Sequence, residues 1–510
     1  MTISIKRAVA AGVPLLVIET YDARQSVDSI LEQLNGKAES CPVLHYDVGR
    51  GLVPLNTAGS EHQASVLGEA DALTMPPYEV LGRFTKFHED ELNREDKTRA
   101  FYLFHNPQMY WEGERGAYFV QAAWNARDIY ERSGTQLYLL VPPGTSLPVE
   151  LRNDVLVLRD TLPSREEIDT IVAGIARDVQ MKPEQLGDRG RILDTLTGLP
   201  AYAAKQVMTL SLTKKGIDLR VLWTRKRQMI EQTKGLSVWQ GGETFDDVQG
   251  YPHIVGFLRA RQRGKNPAKA IVWMDEIEKS VAGATGDNTG VAQDQLKSLL
   301  TFMQDTEAVG IIFIGIGGTG KSAIAKAAGN DAGVPTIAFD LGAMKSKGLG
   351  DSEQTIRAAF DVVGSVSQGR TLFIATCNSI GVLPPELRRR FSLGIVYFPL
   401  PDASARQSIW RVYFKKYALP EQPLPNDKGW TGAEIKNCAV LADDLGVTLV
   451  EAARYIVPVS VSAREVLEQL NRSAHQRYID AARGGVYEDP AISNQPVAVL
   501  RGGRRVEVEE

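Results

Sequence analysis

Over the first 163 residues the apolar positions gather into short runs, Leu15 to Ile18, Val43 to Tyr46, Phe101 to Phe104, Leu137 to Val141 and Val155 to Leu158, with helix-length segments between them. Apolar runs without polar alternation describe strands covered on both faces, and strands alternating with helices describe a parallel α/β sheet. Residues 164–235 switch to a helical pattern. Ser164 with Glu167 three positions on forms a capping box, and Gly198-Leu199-Pro200 punctuates before a helix from Ala201 to Leu212. At the start, Lys6-Arg7 followed by the apolar stretch from Ala8 to Ile18 resembles a secretion signal. It lacks a small-residue cleavage site and runs into Glu19-Thr20-Tyr21-Asp22, so a buried first strand is expected.

The second half repeats this plan. Gly134 to Leu151, GTQLYLLVPPGTSLPVEL, matches Gly369 to Leu387, GRTLFIATCNSIGVLPPEL, with one residue of length difference; PVLHYDVG from Pro42 matches PTIAFDLG from Pro335, and AFYLFHN from Ala100 matches AIVWMDE from Ala270. Three matched segments imply two copies of one domain plan. The order differs, because the Ala270 strand precedes the Pro335 strand whereas the Ala100 strand follows the Pro42 strand. The second copy is therefore rearranged relative to the first.

Candidate chemistry sits in the second copy. Between the apolar run Val309 to Ile314 and the helix-forming Ala323 to Ala328 lies GIGGTGKS, Gly315 to Ser322. A strand, G-x-x-x-x-G-K-S and a helix start make a phosphate-binding loop, because glycines let backbone N–H groups face phosphate oxygens at a helix N-terminus. Its contacts would come from Gly315, Gly317, Gly318, Thr319, Gly320, Lys321, Ser322 and Ala323, with Lys321 reaching the β- and γ-phosphates and Ser322 placing its hydroxyl on Mg²⁺. The strand Ile271 to Met274 ends in Asp275-Glu276. Asp275 would hold Mg²⁺ through water and Glu276 would polarise an attacking water. In the first copy the loop position reads Glu19-Thr20-Tyr21-Asp22-Ala23-Arg24 and the carboxylates are replaced by His105-Asn106, so that copy should be structural or an interaction module.

Composition narrows the setting. The 510 residues are 43% hydrophobic and carry a net charge of −4 from 58 basic and 62 acidic side chains, so no overall basic field points to nucleic acid or an anionic membrane. Cys41, Cys377 and Cys438 are too far apart for a disulfide framework or a zinc pattern, and a reducing, cytoplasmic compartment is expected. No apolar run approaches the ~18 residues of a membrane span.

Together these residues resemble the AAA+ ATPases, most closely an uncharacterised cyanobacterial and plastid branch with a degenerate AAA-like domain before an active one. Gly242 to Tyr251, GETFDDVQGY, is similar to the adenine-contacting entry segment and brings Val248 and Gln249; Gly350 to Phe360 is similar to the helix after the central-pore loop. FIATCNS, Phe373 to Ser379, is similar to the sensor-1 strand with Asn378 at its tip. LPPELRRRF resembles the arginine-finger region, with Arg388, Arg389 and Arg390 as candidates and Arg390, before Phe391, the first choice. TGAEI, Thr431 to Ile435, is similar to the sensor-2 helix with Gly432-Ala433 in place of arginine.

Three departures from the family pattern stand out. The strand and helix from Ala270 to Thr306 normally lie between the helix ending near Val366 and the strand from Thr371. Because the family's phosphate-loop and sensor-1 strands are neighbours, the site can still assemble, with joins at Gly264 to Pro267, Glu307 to Gly310 and Ser367 to Arg370. The pore loop carries Gly348 where threading relatives place an aromatic, which favours a loop without a translocating role. Glycine-rich Gly283 to Gly290 occupies the second pore-loop position. Finally, LPPELRRRF is two residues shorter than usual.

The resulting expectation is two α/β AAA-like domains, each followed by a helical lid: residues 1–163 degenerate, 164–235 its lid and linker, 236–401 the rearranged ATPase core, 402–484 the second lid opening at Asp402, and 485–510 a tail that is disordered or adds an edge strand. The resemblance implies an ATP- and Mg²⁺-dependent ATPase that self-associates into a ring, most often a hexamer, and remodels a protein partner. A nucleotide-gated scaffold is the second reading and a nucleic-acid motor the third.

Overall fold

The computed structural model describes residues 2–506 apart from 35–39, 69–73, 112, 114, 161, 215, 282–290, 306–307, 345–350, 380, 382, 494–498 and 502–503. The two pore-loop readings, at Gly348 and at Gly283 to Gly290, lie outside the described residues. The chain divides into two compact units, Met1–Lys226 and Arg227–Glu510.

In the first unit six strands, β1 (Leu15–Glu19), β2 (Val43–Asp47), β3 (Gly51–Pro54), β4 (Phe101–His105), β5 (Gln136–Val141) and β6 (Leu156–Arg159), form one sheet in the order β3-β2-β4-β5-β1-β6. All neighbours are parallel except β2 and β3. Alternate residues of one strand enter opposite cores: Leu15 and Val17 pack with Tyr102, Phe104 and Leu139, whereas Leu16 and Ile18 pack with Leu103, Tyr138 and Leu140. Coverage on both faces explains why β1, β2, β4 and β5 read as unbroken apolar runs, whereas the edge strand β6 departs from that expectation, with Leu156 and Val157 exposed and Leu158 buried.

The expected first strand is corrected. Thr2–Ala11 is a helix, with Ile5, Ala8 and Val9 buried on its i, i+3, i+4 face, and β1 begins only at Leu15. Gly12, at φ 69°, ends the helix, so a run that looks continuous in sequence is split by one left-handed residue. The capping box is present: Ser164 Oγ accepts from Glu167 N at 3.2 Å, and Glu167 Oε2 accepts from Ser164 N at 2.7 Å. The helix Ala201–Leu210 stops two residues early because β7 (Leu212–Thr213) turns back to pair with β8 (Gly216–Ile217).

The second unit contains β9 (Leu236–Val238), β10 (Ala270–Met274), β11 (Val309–Ile314), β12 (Thr336–Phe339), β13 (Thr371–Cys377), β14 (Ile395–Tyr397) and β15 (Ile479–Asp480). Read from the β9 edge the order is β9-β12-β10-β13-β11-β14-β15. It is the spatial order of the first sheet with one strand added, and both sheets carry one antiparallel pair at the same edge. The chain order differs: β4 follows β2, whereas its counterpart β10 precedes both β11 and β12. Because β10 and β11 both run parallel to β13, one on each side, their carboxyl ends meet at one edge whichever is made first. The three joins lie between Arg263 and Ala270, Asp305 and Val309, and Ser367 and Thr371.

In the region expected to be the second lid, Ile409, Trp410, Trp430, Ile435, Cys438 and Leu449 form a core separate from the sheet cores. The expected lid boundary at 484 is corrected, since the helix Arg464–Ala474 buries Leu470 and Ala474 in the sheet core and the chain then returns as β15 beside β14. The added edge strand thus precedes the tail. Among the described tail residues, β16 (Val499–Arg501) and β17 (Arg504–Val506) pair with each other. No single helix among the described residues is long and apolar enough to cross a membrane.

Candidate functional site

β11 delivers the loop Gly315 to Ser322 to the first turn of the helix Lys321–Ala332. Gly318 and Gly320 stand at φ 86° and 91°, a region that costs a residue with Cβ about 1–2 kcal/mol. Gly320 caps the helix without a side chain, so its first N–H groups face the loop uncapped, as an anion site requires. A Cβ on Gly318 would come within 2.8 Å of Thr431 Oγ1 and 3.0 Å of Ala433 Cβ. The helix Gly432–Leu445, within the expected lid, therefore starts directly against the loop, and Ala433 N donates to the Gly318 carbonyl at 3.1 Å.

Lys321 is 6% exposed, and its ammonium donates to the carbonyls of Gly315 at 2.7 Å and Ile316 at 2.9 Å. Burial lowers its pKa to about 8, against the opposing pull of the Glu278, Asp275 and Glu276 carboxylates. A buried cation with carbonyl partners alone suits a site built to receive an anion.

Ser322 Oγ donates to Asp275 Oδ1 at 2.7 Å, joining the end of the loop to the end of β10. The same carboxylate oxygen accepts from Thr376 Oγ1 at 2.6 Å, and Thr376 Oγ1 accepts from Glu276 N at 2.9 Å. Asn378 Nδ2 donates to Glu276 Oε1 at 3.0 Å, and Lys279 forms an ion pair with the other carboxylate oxygen. Asn378 N donates to Glu278 Oε1 at 2.9 Å. Ser322 and Asp275 offer only hard oxygen donors, the chemistry Mg²⁺ prefers.

A cavity of about 840 Å³ opens over this cluster. Its wall includes Gly317, Gly318, Thr319, Gly320, Lys321, Ser322, Ala323, Asp275, Glu276, Asn378, Val248, Gln249, Gly432 and Ala433. Gly315 lies beneath the wall, where a Cβ would meet the Phe398 carbonyl at 2.7 Å, and it serves by letting the strand pass that carbonyl. Arg388, Arg389 and Arg390 are not brought to the cavity; Arg390 Nη2 donates to Gln304 Oε1 at 2.7 Å, and Arg389 is exposed. A neighbouring cavity of about 680 Å³ on the other side of the entry segment contains no phosphate-loop residue.

Sequence reasoning missed Thr376, Trp239, Lys326, Tyr413 and Lys436 in the wall, and Glu278 below it. Lys326 lies 4.5 Å from the Trp239 ring and 4.4 Å from that of Trp273. Thr376 had a readable signal: it stands two residues before Asn378 on the strand already singled out.

In the first unit the loop position is filled by hydroxyls. Ser26 Oγ donates to Asp160 Oδ2 at 2.6 Å, and Thr20 Oγ1 lies 2.6 Å from Ser26 Oγ and 3.2 Å from Asp160 Oδ2. Glu19 pairs with Arg159 at 2.9 Å. His105 packs edge-on against His45 with ring centroids 4.0 Å apart, and burial lowers the pKa of both, that of His45 to about 4. Neutral imidazoles there offer no counterpart to the carboxylates of β10.

Residues 1–159 match the family described as SpoVK-like AAA ATPase, N-terminal domain, and residues 311–368 match the ATPase family associated with various cellular activities. The second match ends at the join before β13. Among curated proteins, the chain is 21% identical over 359 residues to the uncharacterized AAA domain-containing protein ycf46 of Trieres chinensis, covering 60% of this chain and 65% of that protein. It is 23% identical over 406 residues to ycf46 of Gracilaria tenuistipitata var. liui, covering 68% and 74%. It is 24% identical over 241 residues to the ATP-dependent zinc metalloprotease FtsH of Myxococcus xanthus, covering 36% and 37%. The chain thus spans just under two thirds of the Trieres chinensis relative.

Proposed function

We propose, for a chain that carries AAA ATPase domains and is homologous to the uncharacterised ycf46 branch, that the second unit binds and hydrolyses ATP in the 840 Å³ cavity. The observation that carries this reading is the convergence of Lys321, Ser322, Asp275, Glu276 and Asn378, from three strand ends, on one wall. The triphosphate lies along the loop, whose glycines admit it and whose N–H groups and Lys321 ammonium bind it. When bound, Mg²⁺ is held by Ser322 and Asp275 and offsets phosphate charge. Glu276 accepts a hydrogen bond from the attacking water, with Asn378 setting the orientation of that carboxylate. The base rests between the Val248-Gln249 segment and the Gly432-Ala433 turn.

The arginines at 388–390 lie away from their own cavity, which supports delivery of one of them to a neighbouring subunit's site in a ring. A hexamer is the ring size the resemblance favours. On this reading the order of the core strands is a rearrangement of the family's, and the first unit, with hydroxyls at its loop position, is an interaction module. The energy drives remodelling of a protein partner; a nucleotide-gated scaffold is the alternative that Gly348 favours.

Glu276→Gln is expected to keep ATP binding and lose about 10²- to 10⁴-fold in turnover, and Lys321→Ala to weaken binding itself. Calorimetry and single-turnover hydrolysis separate the two effects. Wild-type turnover by Glu276→Gln would refute the assignment of the base. The same variant, held in its ATP state, is the bait for a partner, and unfolding of that partner under ATP separates a motor from a scaffold.

A further inference from the structure

Thr376 is 1% exposed and stands one step beyond the last pair of the β10–β13 ladder, Met274 with Ala375. A hydroxyl has a single hydrogen to give and two lone pairs to offer. Glu276 N must be the donor in its 2.9 Å contact, so the Thr376 hydrogen is free for the carboxylate and is given to Asp275 Oδ1 at 2.6 Å. One side chain thus gives its proton to the Asp275 carboxylate and accepts the N–H of Glu276. The same Asp275 oxygen takes a second hydrogen bond from Ser322 at 2.7 Å, which extends the chain of contacts into the phosphate loop.

The first unit shows what happens where no such hydroxyl is used. Asn106, at φ 47°, ends β4 as Glu276, at φ 45°, ends β10, and its N–H goes to a backbone carbonyl, that of Leu140, at 2.9 Å. The left-handed turn is therefore built without a hydroxyl in one unit and on one in the other. In the second unit the N–H that fixes the turn is tied to the group that also fixes the carboxylate.

We propose that Thr376 is a positioning residue of the hydrolytic site, whose hydroxyl locks the side chain of Asp275 and the backbone of Glu276 into one mutual geometry. The inference rests on the ATPase reading above. Its consequence is a coupling: the metal-facing carboxylate cannot turn without loosening the residue that faces water. Partners of this kind behind a metal ligand typically contribute 10- to 100-fold in metal affinity or activity.

The test uses the full chain with Thr376→Val, which removes the hydroxyl at constant shape, and Thr376→Ser, which restores it. By calorimetry, Thr376→Val should bind ATP in EDTA as the wild type does, yet lose about tenfold or more of the gain in affinity that Mg²⁺ confers. Turnover should fall at least about tenfold, and Thr376→Ser should recover both to within about threefold. The Glu276 amide should exchange hydrogen at least about tenfold faster in Thr376→Val than in wild type or Thr376→Ser, with no nucleotide present. If Thr376→Val keeps the Mg²⁺-dependent gain and the exchange protection, the inference is wrong, and a lower melting temperature with both retained would mean an ordinary packing role. Should the wild type fail to bind ATP, the ATPase reading fails by itself. The exchange comparison then still decides whether the clamp exists, and equal protection in Thr376→Val and Thr376→Ser would refute it.

Discussion

Glu276 is the residue where chemistry and conformation conflict. Its φ of 45° lies in the left-handed region, which costs a residue with Cβ about 1–2 kcal/mol and is more readily tolerated by Asn. The turn persists because its N–H is held by Thr376, its carbonyl accepts from Lys279 N at 2.8 Å, and its carboxylate is held by Asn378 and Lys279. The exposed ion pair contributes little to stability. Glu276→Asn should therefore raise the unfolding free energy by about 0.5–1 kcal/mol while removing hydrolysis, a trade of stability for function. Urea unfolding without nucleotide reads the effect, and a lowered midpoint would show that the carboxylate contacts outweigh the backbone strain.

At the scale of elements, the phosphate loop and the lid helix Gly432–Leu445 behave as one construction. Ala433 N bonds the Gly318 carbonyl, and the space a Gly318 side chain would need is taken by Thr431 and Ala433. Gly317 has open space around the position of its absent Cβ. Without nucleotide, Gly318→Ala should lower the unfolding free energy by about 1–3 kcal/mol, through φ strain and displacement of the lid helix, whereas Gly317→Ala should stay within about 0.5 kcal/mol of wild type. Thermal or urea melts compare the pair directly. Equal stability of the two variants would mean that the lid helix does not seat on the loop.

On the whole-molecule scale, the two sheets reach the same spatial order by different chain orders, which a parallel sheet permits when corresponding strands have the same neighbours. The carboxyl ends still converge on one cavity, and none of Arg388, Arg389 and Arg390 lines it. Arg390 engages Gln304 outside the cavity, and a finger acting from a neighbouring subunit is worth about 10³ to 10⁵ in rate. Specific ATPase activity should then rise with protein concentration. Arg390→Ala protein mixed with Lys321→Ala protein should exceed the sum of the separate preparations, since mixed interfaces pair an intact loop with an intact arginine. Concentration-independent turnover by a monomer, with no rescue between subunits shown to exchange, would place the arginines in a structural role.

What the sequence by itself determined is local. The loop Gly315 to Ser322, the Asp275-Glu276 strand end and the Ser164 capping box each depend on residues a few positions apart, and the repeat is visible because it compares such short segments with one another, since glycine spacing, caps and strand period act over a single turn or strand. The tertiary structure alone decided what depends on register between strands. Thr376 meets Asp275 from 101 positions away and Asn378 meets Glu276 from 102, so the strand that carries them was legible along the chain but the pairings were not. The last turn of the helix Thr2–Ala11 was hidden in the apolar run that starts at Ala8, because the helix's buried face becomes distinct only against the finished sheet. The return of β15 to the core was hidden because two residues suffice to pair with an edge already built.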